Sequence, residues 1–550
     1  MHAPPAYSAS ESSSQSIVPW KRFCLLFAGL MLLHAPLLRL PYFWDEAGYY
    51  VPVARDLYLT GSPIPQSTAS NAHPPLVMAW LALVWRVFGY SIPASRIAML
   101  AMAAFSLAGL FQLARASLNS VLNSAARPTL DSTRLSSQVA WAVVALTAIY
   151  PVFFTQSSLA QVDLPAAGFT FWALAAYLED RPWWVAIWFS LAALAKETAV
   201  IAPMALCAWQ IVTPFIRSRA AQLVPLPRRR TNIFHLFFPA LPLAGWLAFH
   251  RWKTGYIFGN PDFFRYNVAA TLNPLRFPIA LGLRLWQIAG YFSLYLLTLA
   301  AALAMLRSPQ SDGGIPRPRI AFWKQAALAV VLLTYLTFMS AVGGAALARY
   351  LLPVVPLVIL ACLATLWRRV RYWRGIAAIV AIAFAAGWFI NPPYGFSLED
   401  NLEYRNFILM HEEASHFLRA RYPHAVVLTA WPASDEITRP WLGYVDQPFR
   451  VVRIEDFTSA QIDMAAARSN DFDAAFVFST KYQPPHDFLV SWTAWQHIKE
   501  KFFGYHRDLL PDEIARRLGG QIVFREEKKR LWVAVIALDR EQDARLRAPR

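Results

Sequence analysis

Two adjacent carboxylates, Asp45 and Glu46, stand in YFWDEAGYYVPVARDLYLTG, directly after the apolar run FCLLFAGLMLLHAPLLRL. At a point where a chain leaves lipid, Asp45 either caps a helix, as a favoured N-cap residue, or serves the polar company that gathers on the same side. His73 lies in NAHPPLVMAW, where two prolines bar a helix before them and suit the start of one after. Its imidazole is thereby held on a fixed turn, as a structural group or as a ligand or catalytic one. In SSLAQVDLPAAGF, Asp163 opens an apolar run. An acidic group at that depth is costly, so it faces a polar cavity, a cation or a partner, unless it caps the helix start. Lys196 and Glu197, in LAALAKETAV, either pair with each other, snorkel to the headgroups, or present Lys196 to a lipid phosphate. Arg265 in NPDFFRYNVAATLNPLRF and Arg349 in ARYLLPVVP suit bidentate phosphate contacts, and topology or surface pairing explains each equally.

The elements that position these groups belong to a membrane protein. The chain is 57% hydrophobic and 15% charged over 550 residues, with 22 Trp, 21 Tyr and 37 Phe, far too apolar for a soluble protein of that size. Spans need about 20 apolar residues each, and about eleven candidates can be read, near 23–40, 92–113, 138–154, 160–178, 183–196, 198–216, 233–250, 285–306, 322–340, 350–367 and 374–391. The net charge of +17 sits in short clusters between apolar runs, which sets topology and meets anionic membrane lipids. No basic stripe interleaved with aromatics supports nucleic-acid binding. Cys24, Cys207 and Cys362 all lie in apolar runs and predict neither a disulfide framework nor a zinc site.

Arg and Lys fall on alternate connections: Lys21-Arg22; Arg115, Arg127 and Arg134; Arg181; Arg217 to Arg230; Arg307 to Lys324; Arg368 to Arg374. Those connections are cytoplasmic. The Pro- and Ser-rich segment 1–18 is then a disordered cytoplasmic tail. The membrane domain covers 19–391, and its long loops, 41–91 and 251–284, face outward. The expected place is a plasma (inner) membrane. From 392 to 550 the pattern changes to short β-length runs, AVVLTA at 425–430 and AAFVFST at 474–480, separated by helix-like stretches such as HEEASHFLRARY. QIVF and RLWVAVIAL flank the charged turn REEKK as a hairpin. The expected fold is therefore a multi-span α-helical membrane protein with a C-terminal, outward-facing (periplasmic) soluble α/β domain. That domain carries no G-x-G-x-x-G, P-loop or nucleophile elbow.

In chain order, the first-loop DE, the HPPL that starts at His73, the acidic residue opening a middle span and RYLLPVVPL from Arg349 resemble the GT-C superfamily of polytopic glycosyltransferases. The likeness covers about residues 20 to 390. DE followed by HPPL is most similar to the protein O-mannosyltransferases. The layout with an outward tail is also similar to the transferases that put aminoarabinose on lipid A, where an acidic-Lys-Pro-Pro turn is typical and Ala72 and His73 stand here.

The resemblance implies transfer of one sugar from a polyprenyl-phosphate donor to a hydroxyl of an envelope glycolipid, glycan or protein on the outer face, with inversion. A polyprenyl phosphate departs as a stabilised anion, so it needs positive charge more than a general acid. The acceptor hydroxyl needs a base within reach. The resemblance implies Asp45 for that base, with Asp163 positioning the acceptor or holding a divalent metal cation. His73, Lys196 and Arg265 then bind the phosphate or that cation, and Glu46, Glu197 and Arg349 complete the substrate-binding set. The rival reading is a lipid-linked-sugar transporter or flippase. Transporters place ionisable groups near the bilayer midplane, whereas the acidic residues here lie at outer ends. A purely structural or sensory protein would leave the first-loop carboxylates without a role.

Overall fold

The structure, a computed structural model, describes residues 20–118, 130–219, 230–268, 271–312, 314–484 and 492–538. The 1–18 tail and Arg127, Arg228 and Arg229 lie outside these residues.

Each apolar stretch expected to span is helical over most of its length. Among the described residues, five segments are long and apolar enough to cross a membrane: Trp20–Leu37, Ile92–Leu118, Ile233–Thr254, Arg276–Ala304 and Phe322–Ala341. The backbone breaks at defined places, both between helices and within one of these segments. Tyr150 is extended, as the residue before a proline tends to be, and it separates Leu130–Ile149 from Pro151–Gln156. Lys196 is extended at the end of Pro182–Ala195, before a 3-10 turn over Glu197–Val200. Phe292 and Ser293, both at positive φ, divide Arg276–Ala289 from Leu294–Ala304.

The two long loops carry helices of their own. The segment 41–91 is largely helical, with Val51–Thr60 and Leu76–Phe88. Within 251–284 lie Pro261–Asn267 and the start of a helix that begins at Arg276, earlier than the apolar run from 285 suggests. Amphipathic surface helices have too few consecutive apolar residues to be read as spans.

The helix Asp163–Leu178 is buried along its whole length, as a helix apolar on every side must be. It packs against Ile92–Leu118 so closely that a Cβ on Gly168 would strike Ser106. Two apolar cores result. One lies among the membrane helices. The other joins the first long loop, through Tyr42, Phe43, Ala47 and Tyr50, to Tyr404, Phe407, Leu428 and Phe476 of the tail. Backbone bonds reinforce that union, with Tyr42 N donating to Leu442 O at 3.2 Å and the Tyr444 hydroxyl donating to Tyr42 O at 3.1 Å. The tail is thus packed onto the membrane domain.

Its sheet has five strands in the order Arg450–Ile454, Val426–Ala430, Ala474–Phe478, Leu531–Leu538, Gly520–Lys528. The first three run parallel and the last two form an antiparallel hairpin. Lys529 and Arg530, both at positive φ, make its two-residue turn. The expected runs at 425–430 and 474–480 and the hairpin are strands. Arg450–Ile454 was not expected, because an edge strand with no buried residue has little apolar signal.

Candidate active site

Asp45 reaches its place because the residue after it is anchored. Glu46 is fully buried. Its carboxylate accepts from Arg96 Nη1 at 2.5 Å, from Phe43 N at 2.9 Å and from Ala160 N. Arg96, equally buried, also donates to the carbonyls of Pro41 at 2.9 Å and Ser158 at 3.0 Å. This pair ties the first loop to the helix Ile92–Leu118 and to the 157–161 link. Glu46, expected in the substrate-binding set, is buried against Arg96 and holds the turn from which Asp45 projects. Asp45 is not a helix cap either, for its side chain makes no cap bond. Trp44 before it has φ 48° and Ala72 before His73 has φ 59°. Such conformations cost on the order of 1–3 kcal/mol and cluster at functional sites.

Arg349 is the hub. It sits on a 3-10 turn, Ala348–Leu351, ahead of the helix Val355–Arg369. Nη2 pairs with Asp45 Oδ2, Nε lies 3.3 Å from Asp163 Oδ2, and Nη1 donates to Glu399 Oε2 at 2.5 Å and Gln161 Oε1 at 2.7 Å. Asp163 also pairs with Lys196 Nζ. Of the three carboxylates, Asp163 and Glu399 are 2% and 3% exposed, whereas Asp45 is 33% exposed. Asp163 and Glu399 anchor the arginine; Asp45 is the one a ligand can reach. Asp163 was expected at the substrate or at a metal, and it is instead turned away from the cavity toward two cations.

Asp45, His73, Lys196, Glu197, Arg349 and Glu399 border one cavity of about 2010 Å³, whose remaining wall includes Phe263, Trp286, Phe338 and Val342. Lys196 and Glu197 neither pair with each other nor snorkel. Glu197 Oε2 lies 3.0 Å from His73 Nδ1, and Lys196 turns inward to Asp163. Three cations converge on the Tyr350 ring: Lys196 Nζ at 4.1 Å from its centre, and the guanidinium carbons of Arg349 at 5.6 Å and Arg284 at 5.7 Å. Arg284 is buried, and its Nη2 has no hydrogen-bond partner among the described residues.

Arg265 is a correction. It is exposed and pairs with Asp262 at 3.2 Å on the same short helix, outside the cavity wall. That helix turns Phe263 toward His73, at 5.5 Å between rings, which leaves Arg265 in solvent. The expected metal ligands do not fit a cation. Both Asp163 oxygens face positive side chains and His73 Nδ1 is taken by Glu197. No group of three or more His, Cys, Asp or Glu among the described residues is placed to hold a metal.

Sequence reasoning missed Glu399, Asp400, Gln161 and Arg284. Glu399 and Asp400 lie on a 3-10 turn of the tail, and Asp400 accepts from the Tyr291 hydroxyl at 2.7 Å. Burial, with the Glu399 charge next to it, pushes Asp400 up to about 7. The only available signal was the acidic pair itself in FSLEDN, just past the last apolar run.

This architecture, a polytopic helical bundle with a cavity lined in part by the tail domain, is a GT-C-like fold of an integral membrane protein. Two crystal structures of ArnT from Cupriavidus metallidurans share it, one bound to undecaprenyl phosphate and one in the apo state. Each aligns with TM-score 0.50 at 12% identity, over 93% and 94% of this chain respectively and 98% of theirs. No protein-family model and no curated protein sequence matches the chain.

Proposed function

We propose that the chain is a membrane glycosyltransferase that moves a single sugar from a polyprenyl-phosphate-linked donor to an acceptor hydroxyl of a glycolipid, glycan or protein at the outer face of the membrane. One arrangement supports this above all: a reachable carboxylate, Asp45, shares a cavity with two cations, Lys196 and Arg349, that face the Tyr350 ring. The likeness to a protein crystallised with undecaprenyl phosphate supports a donor of that class.

In this reading Asp45 takes the proton from the acceptor hydroxyl as its oxygen attacks the anomeric carbon. The bond from that carbon to the phosphate oxygen breaks, and the electron pair leaves with the polyprenyl phosphate. Lys196 and Arg349, both buried, stabilise the growing negative charge, in a setting where charge stabilisation is strong. Attack opposite the departing phosphate inverts the anomeric centre. Asp163 and Glu399 keep Arg349 in place, and His73 and Glu197 shape the opposite wall. About eleven spans, a cytoplasmic N-terminus and an outward tail in an inner membrane complete the proposal, supported by the alternation of basic connections.

Membranes containing the wild type or Asp45→Asn, supplied with radiolabelled polyprenyl-phosphate sugars and a cell-envelope extract, test it. Transfer by the wild type that is lost in the folded variant is the expected result. Equal transfer by both removes Asp45 from the mechanism.

A further inference from the structure

Two indole rings border the cavity near the turn that carries Asp45, outside the charge cluster. Trp44 directly precedes it, and Trp431 arrives from the tail, just past the strand Val426–Ala430. Both border the cavity. They meet edge to face, with ring centres 4.9 Å apart and planes at 74°. Trp431 remains 36% exposed, although the apolar core shared by tail and first loop lies next to it, with Phe407 5.7 Å from Trp44. A large apolar ring left open inside a cavity is surface kept for a ligand rather than for folding.

The backbone is arranged around these rings. Trp44 has φ 48°, where bulky side chains are rare. Residue 48 is glycine, and a Cβ there would lie 2.8 Å from Trp431 Nε1. A side chain at residue 48 would therefore collide with the Trp431 indole, which packs against the backbone of the turn that follows Asp45.

We infer that Trp44 and Trp431 form a subsite for a pyranose ring, an inference that rests on the glycosyltransferase reading. A sugar ring has an apolar CH face and a rim of hydroxyls. The indoles offer flat apolar faces with negative quadrupoles to the first, while Asp45 alongside accepts from the second. The ring belongs either to the donor sugar or to an acceptor saccharide.

The full chain in lipid nanodiscs, with Trp431→Leu and Trp431→Phe, is titrated with undecaprenyl phosphate and with undecaprenyl-phosphate-linked mannose and glucose. If the subsite holds the donor sugar, Leu weakens the sugar-bearing lipids about tenfold more than the bare lipid, and Phe restores them to within about threefold. If it holds the acceptor, donor binding is unchanged. The KM for acceptor in an envelope extract then rises about tenfold in Leu and recovers in Phe. Equal loss for bare and sugar-bearing lipid, a Leu variant like the wild type in both arms, or failure of Phe to restore, overturns the subsite. The wild type supplies a check that needs no variant: saturating the indole protons must transfer to sugar-ring protons, and no transfer overturns the inference. Sugar contact without turnover leaves the subsite standing and removes the transferase reading. Turnover with no effect of Leu removes the subsite alone.

Discussion

Substituting Asn at Asp45 and at Asp163 separates chemistry from support. Three carboxylates, Asp45, Asp163 and Glu399, surround two cations, Lys196 and Arg349. With Asp45→Asn the charges balance, and Arg349 keeps Asp163 and Glu399. Since Asp45 is 33% exposed, stability should change by no more than about 1 kcal/mol. With Asp163→Asn, buried Lys196 loses the carboxylate it pairs with. Breaking a buried pair on one side costs about 3–5 kcal/mol. Activity runs the other way for Asp45→Asn, where loss of a general base should lower the rate by about 10²–10⁴-fold. Unfolding midpoints of purified protein in detergent and sugar transfer in membranes read the two effects independently. Adding Lys196→Met to Asp163→Asn should recover much of the lost stability, because both charges are then gone. An Asp45→Asn variant as unstable as Asp163→Asn, or one that transfers sugar at the wild-type rate, refutes this division of roles.

Asp400, raised to about 7, contributes stability at low pH that is lost as pH climbs from its unfolded value of about 4 through its folded one. Asp400→Asn should therefore gain stability relative to the wild type between about pH 6 and 8, and a melting difference independent of pH would contradict this. Gly48→Ala brings a Cβ against the Trp431 indole at 2.8 Å. It should cost about 1–3 kcal/mol, measured by thermal unfolding, and unchanged stability would mean that the ring moves freely. Because the Asp163 oxygens face Lys196 and Arg349, transfer should survive EDTA. Activity that falls on chelation and returns with added divalent metal would reverse that reading.

Much of the site was legible in the chain. Asp45, His73, Asp163, Lys196, Glu197 and Arg349 announce themselves as polar residues at the outer ends of apolar runs, and all but Asp163 line the cavity. Their expected sidedness rests on the alternation of basic connections, and the helices follow from apolar length, because burial in lipid is a local and additive demand on sequence. Pairing is neither local nor additive. Lys196 and Asp163 are adjacent only because the helix Asp163–Leu178 packs back against its neighbour. Arg349 meets Asp45 across most of the membrane domain, and Glu399 comes from the tail. Glu46 looked identical to Asp45 in sequence until packing set it against Arg96, while Arg265 looked like a phosphate ligand until its helix turned Phe263 inward. Which anion neutralises which cation, and which carboxylate stays open to a ligand, depend on distances and desolvation that arise only when remote segments pack together.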